Sequence, residues 1–279
     1  MNTIDLVIKI GSMALIDKDY NDINYNVFAR LSRELRPGCA LVSSGATEIG
    51  RLDYIKRNGG ELFAADCPDA AEQIKTDYAA QGQSVLMQNY RQFVDSKFSI
   101  RQILVEHQHF NDGAKRRHLK EMLLRCPPQN AIPIINYNDA VSDDENRKME
   151  IQTMRKEGQK AVECVDNDET AAQIACLLGC STLLILTGTD GIYQNASDPS
   201  TLVPEVAAET SDFLIKKIEE LQKSCVGASR KGAFGALAKL EYIKEPLKRG
   251  IKVIISNSIF KIRDILAGNA RRTVFYLKK

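Results

Sequence analysis

Seven short apolar runs punctuate the chain, at 6–10, 40–43, 102–106, 132–136, 183–186, 252–256 and 273–277. They are too continuous for half-exposed strands, and such runs predict strands buried on both faces, as in a parallel sheet. Between them apolar residues recur at helical spacing over 27–35, 70–93, 115–124, 169–178 and 233–248,. Strand and helix alternate, so the expected architecture is a mainly parallel sheet covered by helices on both faces. The stretch 142–163 breaks this alternation. Its charges leave no long apolar face, which fits a flap or hairpin near a site as well as plain surface decoration,. A turn-rich stretch at 195–204 suggests two lobes in one domain, about 1–178 and 179–279.

Composition narrows the function. A chain of 279 residues can bury a large core,. A net charge of +2 gives no electrostatic bias toward nucleic acid or a membrane surface, and neither partner is expected,. No stretch is apolar enough to span a bilayer and no signal-peptide pattern precedes the first strand, so a cytoplasmic location is expected. The seven cysteines are odd in number and lack a CxxC pair, as reduced thiols would be,. Cys176 and Cys180 share a helix face and are read as core. His107 and His109, two apart on an expected strand, share a face as metal ligands would. No carboxylate or thiol cluster joins them, and no metal site is assigned.

The chemistry lies where apolar runs break into small or polar residues, the strand ends at which open α/β sheets bind ligands. Lys9 sits inside the first strand, just before Gly11 and Ser12. A buried lysine needs an anion, and a glycine lets backbone amides approach phosphate. A solvent-facing edge lysine is the plain alternative, and the neighbouring segments argue against it. Ser43-Ser44-Gly45-Ala46 leads into a helix start suited to an anionic group. The segments 133–139 and 166–168 add Asn136, Asn138, Asp139, Asp166, Asn167 and Asp168, which can orient ammonium groups or bind an acceptor's polar ends. Asp166 is also a good helix cap. A Gly-rich, basic stretch at 227–241 ends near Lys239 and offers a second phosphate-hugging loop. Walker, dinucleotide-binding and nucleophile-elbow motifs are absent from the sequence.

Read together, these segments resemble the amino acid kinase family, and within it the glutamate 5-kinases. The matches run nearly end to end: Ile8 to Ser12, Val42 to Ala46, Gly82 to Met87 with Tyr90, Pro133 to Asn136 with Asn138 to Val141, Asp166 to Asp168, Asp190 to Tyr193, Ala238 to Glu241, and Gly268 with Thr273 to Phe275. The resemblance implies a three-layer α/β/α sandwich that transfers the γ-phosphoryl group of ATP, with Mg2+, to the γ-carboxylate of L-glutamate. By the family's pattern Lys9 and Lys239 stabilise the moving phosphoryl group and Asp168 organises both lysines. Ser44, Gly45, Asp139 and Asn167 match acceptor positions. Gly11, Ser12, Thr187, Gly188, Asp190 and Gly235 fall on the nucleotide side. The implied partners are a small acidic substrate, further copies of the same chain and a glutamyl phosphate reductase acting on the product.

The departures from the family's pattern gather around both ligands. Tyr137 stands where a glutamate is usual, Met13 where a serine is usual, and Gly188 where an aspartate follows the threonine. The loop over 231–236 is altered, Val165 replaces a common glycine, and the chain leaves no room after the kinase-like portion for a small C-terminal module. These changes keep two alternatives open: a kinase of the same fold for another small carboxylate, phosphate or nucleotide acceptor, and a non-catalytic nucleotide- or amino-acid-binding relative.

Overall fold

The computed structural model describes residues 3–62, 70–142, 144–158, 161–164, 166–195, 197–226 and 233–278. The first half contains strands β1 (Leu6–Ile10), β2 (Ile16–Asp17), β3 (Asp22–Ile23), β4 (Cys39–Ser43), β5 (Ser99–Val105) and β6 (Ala131–Tyr137). Its helices are α1 (Tyr25–Glu34), α2 (Ala46–Asn58), α3 (Ala70–Phe93), α4 (Gln108–Asn111), α5 (Gly113–Leu124) and α6 (Asp144–Lys156). After α7 (Asn167–Leu178) come β7 (Thr182–Thr187), β8 (Glu205–Ala208), α8 (Ser211–Val226), α9 (Ala233–Tyr242), α10 (Lys244–Lys248), β9 (Lys252–Asn257), α11 (Ile262–Ala267) and β10 (Arg272–Leu277).

Eight strands form one sheet in the order β5-β6-β4-β1-β7-β9-β10-β8, and only the β9–β10 pair is antiparallel. All seven expected strands are present within a few residues of their expected limits. The expected helix over 233–248 is instead two, α9 and α10. The charged stretch after Ser142 holds helix α6, where a flap or hairpin was one expectation. His107 lies beyond the end of β5 and His109 within α4, so the pair does not share a strand face. Val165 and the residues 227–232 of the Gly-rich stretch lie outside the described residues.

Every residue of β1, β4 and β6 is buried, as the unbroken apolar runs require. Alternate residues face opposite layers. Val7, Val42, Ile135, Leu183 and Ile255 pack under α5, α7, α8, α9 and α10. Ile8, Ile10, Leu41, Ile134 and Leu186 pack under α1, α2, α3 and α11. Two cores therefore sandwich one sheet, giving the three-layer α/β/α arrangement. Cys176 and Cys180 both lie in the first core.

β1 is the centre of this plan. The chain adds β4, β6 and β5 on one side of it, then crosses to place β7 on the other. That makes the carboxyl end of β1 a topological switch point, where the flanking crossovers diverge and leave a crevice. The α2–α3 pair that walls this crevice is locked by backbone contact. A methyl group on Gly82 would collide with the Ala46 carbonyl, and one on Gly50 with the Tyr78 carbonyl. Only glycine permits so close a crossing. Gly82→Ala is expected to destabilise the fold by about 2 kcal/mol in a urea titration, whereas Gly60→Ala, where the added methyl meets no neighbour, leaves the midpoint nearly unchanged.

Candidate active site

Strand register places Lys9 at the switch point. It pairs with Val42 of β4 and Ile185 of β7, one residue before the end of β1. Alternation puts its side chain on the Val7 face, the face covered by α7,. That helix begins beside it because Asp166 caps it. One Asp166 oxygen accepts from the backbone N–H of Asp168 at 2.6 Å and of Glu169 at 3.0 Å,. Asp168, in the first turn, then meets both lysines: Lys9 Nζ lies 2.7 Å from Oδ1 and Lys239 Nζ 2.8 Å from Oδ2. The Lys9 contact is off the hydrogen-bond direction, so charge rather than a directed bond holds it. Lys239 also donates to the Gly235 carbonyl one turn earlier in α9, at 3.3 Å.

Burial pushes the Asp168 carboxyl upward, but the ammonium charges of Lys9 and Lys239 beside it outweigh that. Its pKa therefore settles below the ordinary carboxylate value,. A carboxylate so held is a poor base and a good electrostatic anchor. Two positive charges against one negative leave the cluster ready for a further anion.

Beside the cluster opens a cleft of about 320 Å³ lined by Ser12, Ser44, Gly45, Ala46, Thr47, Glu48, Lys75, Tyr137, Asp139, Asp166 and Asn167. Gly45 caps α2 with φ of 108°, a left-handed conformation that favours glycine and turns the helix start toward the cleft,. The Ser44 N–H donates to the Ile10 carbonyl at 3.0 Å. The neighbouring Ser43 hydroxyl lies 2.7 Å from the hydroxyl of Tyr90, a fully buried α3 residue. Asn167 is fixed from two sides, donating to Asn136 Oδ1 at 2.9 Å and accepting from the Tyr137 N–H at 3.1 Å. The Tyr137 hydroxyl lies 3.1 Å from Ser142 Oγ and accepts from Arg147 of α6 at 3.3 Å.

A third group forms past the end of β7. The Gly11 N–H donates to the Leu186 carbonyl at 3.3 Å, joining the Lys9 turn to β7. The Thr187 carbonyl accepts from the Ser258 N–H at 2.8 Å, and Asp190 accepts from Asn257 Nδ2 at 3.0 Å with Arg271 at 3.5 Å. Gly188 lies between them, its carbonyl 3.4 Å from the same Asn257 amide nitrogen. Gly191 has no room for a side chain against Thr273, whose hydroxyl accepts from the Ile192 N–H at 2.8 Å.

The structure thus gathers the expected residues into three adjoining groups: Lys9, Gly11, Asp168, Lys239 and Gly235; Ser12, Ser44, Gly45, Asp139 and Asn167; and Thr187, Gly188 and Asp190. Sequence reasoning missed Lys75, Arg147, Asn257 and Arg271. The first two belong to helices whose charged residues carry no motif, and the last two reach Asp190 only through strand pairing. His107 instead contacts Glu150 of α6, Nε2 to Oε2 at 2.6 Å, and His109 Nδ1 accepts from the Glu106 N–H at 3.0 Å. Among the described residues no three His, Cys, Asp or Glu side chains converge as a metal cage.

A carboxylate bridging two lysines at the carboxyl edge of a parallel sheet, beside a helix start, is equipment for handling phosphoryl groups. The class is that of an α/β kinase. Comparison with known proteins agrees: the model of the amino acid kinase family matches residues 6–257. The chain belongs to that family. The glutamate 5-kinase of Clostridium perfringens (strain 13 / Type A) is 29% identical, over 98% of this chain and 96% of its own. The glutamate 5-kinase of Gloeobacter violaceus is 30% identical over 98% of this chain, which spans 69% of that longer protein. The solved structure of Giardia carbamate kinase covers 98% of both chains with a TM-score of 0.57. At 15% identity it speaks to the fold alone.

Asp168→Asn would leave buried Lys9 without its counter-charge and is expected to cost about 3 kcal/mol of unfolding free energy at neutral pH. The folded pKa of Asp168 is depressed, so its contribution is complete above the ordinary value of about 3.9 and is lost as pH falls through the lower folded value,. In urea titrations the wild-type advantage over Asp168→Asn should be flat above about pH 5 and shrink below about pH 4.

Proposed function

We propose that this kinase transfers the γ-phosphoryl group of ATP to the γ-carboxylate of L-glutamate. The observation that carries this reading is the Lys9–Asp168–Lys239 bridge, with contacts of 2.7 and 2.8 Å, beside a cleft presenting Ser44, Gly45, Asp139 and Asn167. A carboxylate acceptor is already ionised at neutral pH, so no general base is needed. The problem is to bring two anions together. An acceptor oxygen bonds to the γ-phosphorus as the bond to the β-phosphate oxygen breaks, giving an acyl phosphate and ADP.

In this reading Lys9 and Lys239 neutralise charge on the phosphoryl group in flight, and Asp168 holds their spacing. Ser44, Gly45, Asp139 and Asn167 hold the acceptor on the side of residues 1–178. Gly11, Thr187, Gly188, Asp190 and Gly235 hold the nucleotide toward residues 179–279, and Ser12, which follows Gly11 and also lines the cleft, stands between the two ligands. Magnesium enters as part of the Mg-ATP substrate. Asp168 is occupied by its lysines, so phosphate oxygens and water supply the ion's ligands,. A reductase would consume the acyl phosphate product.

Tyr137 favours a second reading. It lines the cleft where the family pattern has a glutamate, and a neutral aromatic there suits a different small carboxylate, or a phosphate or nucleotide acceptor. Release of ADP from Mg-ATP, measured with and without L-glutamate, separates the two. Glutamate-dependent release is expected, and Lys9→Ala should lower it by about a hundredfold or more. Equal release with and without glutamate, answered by stimulation from another acid, would transfer the assignment to that acceptor. Near-normal turnover by Lys9→Ala would overturn the phosphoryl-transfer role of the bridge.

A further inference from the structure

Tyr90 lies behind the cleft rather than in it. It sits in the last turn of α3, fully buried, with its ring 5.0 Å from that of Phe28 in a T-shaped contact. Gly82, Leu86 and Tyr90 share one helical face. Gly82 abuts the Ala46 carbonyl, so that face runs beneath the end of β4. The Tyr90 hydroxyl lies 2.7 Å from Ser43 Oγ, which itself donates to the Ser44 carbonyl at 2.9 Å. A serine hydroxyl carries a single proton. With that proton given to the carbonyl, Tyr90 is the donor to Ser43. Burial raises the phenol pKa above its ordinary value, so Tyr90 keeps its proton at any working pH,.

This relay fixes one peptide plane. The Ser44 N–H is tied to the Ile10 carbonyl at 3.0 Å, and the Ser44 carbonyl is drawn toward α3 by Ser43. In a trans peptide unit the N–H points opposite to the C=O. The Gly45 N–H has no acceptor among the described residues. It therefore points away from the α3 layer, toward the face of the sheet on which Lys9 and Asp168 meet. Gly45 lines the cleft, and a methyl group on it would lie 3.8 Å from the Cα of Ser12. We propose that Tyr90 is a positioning residue for phosphoryl transfer: its hydroxyl, acting through Ser43, holds the Ser44–Gly45 peptide so that the Gly45 N–H is aimed at charge on the reacting groups. This rests on the reading that the protein transfers a phosphoryl group to an acceptor in the cleft. Without the Tyr90 proton the Ser43 hydroxyl is free to turn from the carbonyl, and the peptide loses the bond that sets its tilt. A preorganised donor acts most strongly where charge moves, so the loss falls on kcat.

Ser44–Gly45 is the only Ser–Gly step in the chain. Cell-free synthesis with NMR-active isotopes in serine carbonyls and glycine nitrogens therefore isolates the Gly45 amide as one cross-peak. That peak, kcat and the KM values for ATP and L-glutamate are compared in wild type, Tyr90→Phe, Ser43→Ala and the double variant. Tyr90→Phe should shift the Gly45 peak and lower kcat about tenfold, a donor mis-aimed rather than removed, with KM for ATP unchanged. Ser43→Ala should lower kcat at least as far, and the double variant should be no slower than Ser43→Ala, since both hydroxyls act along one relay. If Tyr90→Phe fails to fold, Ser43→Ala carries the same peak and kcat predictions. An unmoved Gly45 peak overturns the proposal whether or not glutamate is turned over. A moved peak with wild-type kcat, or losses that simply multiply in the double variant, sinks it and leaves the glutamate kinase reading intact. If wild type ignores glutamate but another acid stimulates ADP release, the glutamate reading falls and the same kcat comparison with that acid decides the role of Tyr90. If no acid does, the role falls with the reaction.

Discussion

The structure turns on one buried charge balance. Lys9 is only 5% exposed, inside a strand whose other residues are all apolar, and an ammonium group so placed is tolerable only against a fixed anion. Asp168 supplies it from the start of α7, and Lys239 joins from α9. Three residues far apart in sequence must converge within hydrogen-bond range. The order of strands around β1, the capping of α7 by Asp166 and the position of α9 are the means by which they do. A surplus of positive charge remains, so the resting protein is already arranged for an anionic ligand.

The rest of the site depends on this centre through backbone geometry. The turn after β4 is anchored by the Ser43–Tyr90 hydroxyl contact and by the left-handed Gly45, which together set the start of α2 beside the lysines. Asn167, next to Asp168, ties α7 to β6 through Asn136 and Tyr137. A shift of α7 would thus move the bridge and the acceptor cleft together. Arg147 and Glu150 link α6 to Tyr137 and His107, so the charged segment that interrupts the strand–helix alternation is docked onto the acceptor side.

Much of this plan was legible in the chain. Unbroken apolar runs identify strands such as Leu6–Ile10 and Ala131–Tyr137 because both faces of a central parallel strand must be covered,. Lys9, Gly11 and Asp168 stood out because each violates its surroundings: a charge within an apolar strand, a glycine at its end, an acid opening an apolar helix. The short edge strand β8 escaped notice. So did the division of 233–248 into α9 and α10, since a helical period of apolar residues continues across the break and only packing shows it.

The sequence by itself determined the alternating elements, the family and the chemistry of the residues at the strand ends, because hydrophobic period and local charge are properties of neighbouring residues. It could not determine which distant groups meet. Lys75 is an ordinary exposed lysine in sequence, and becomes a cleft residue only because two glycines let α3 approach α2. His107 and His109 look like a matched pair on a strand, yet the chain leaves β5 before them and separates their partners. Only tertiary structure decides such pairings, since they follow from strand order and helix crossing, which no single segment encodes.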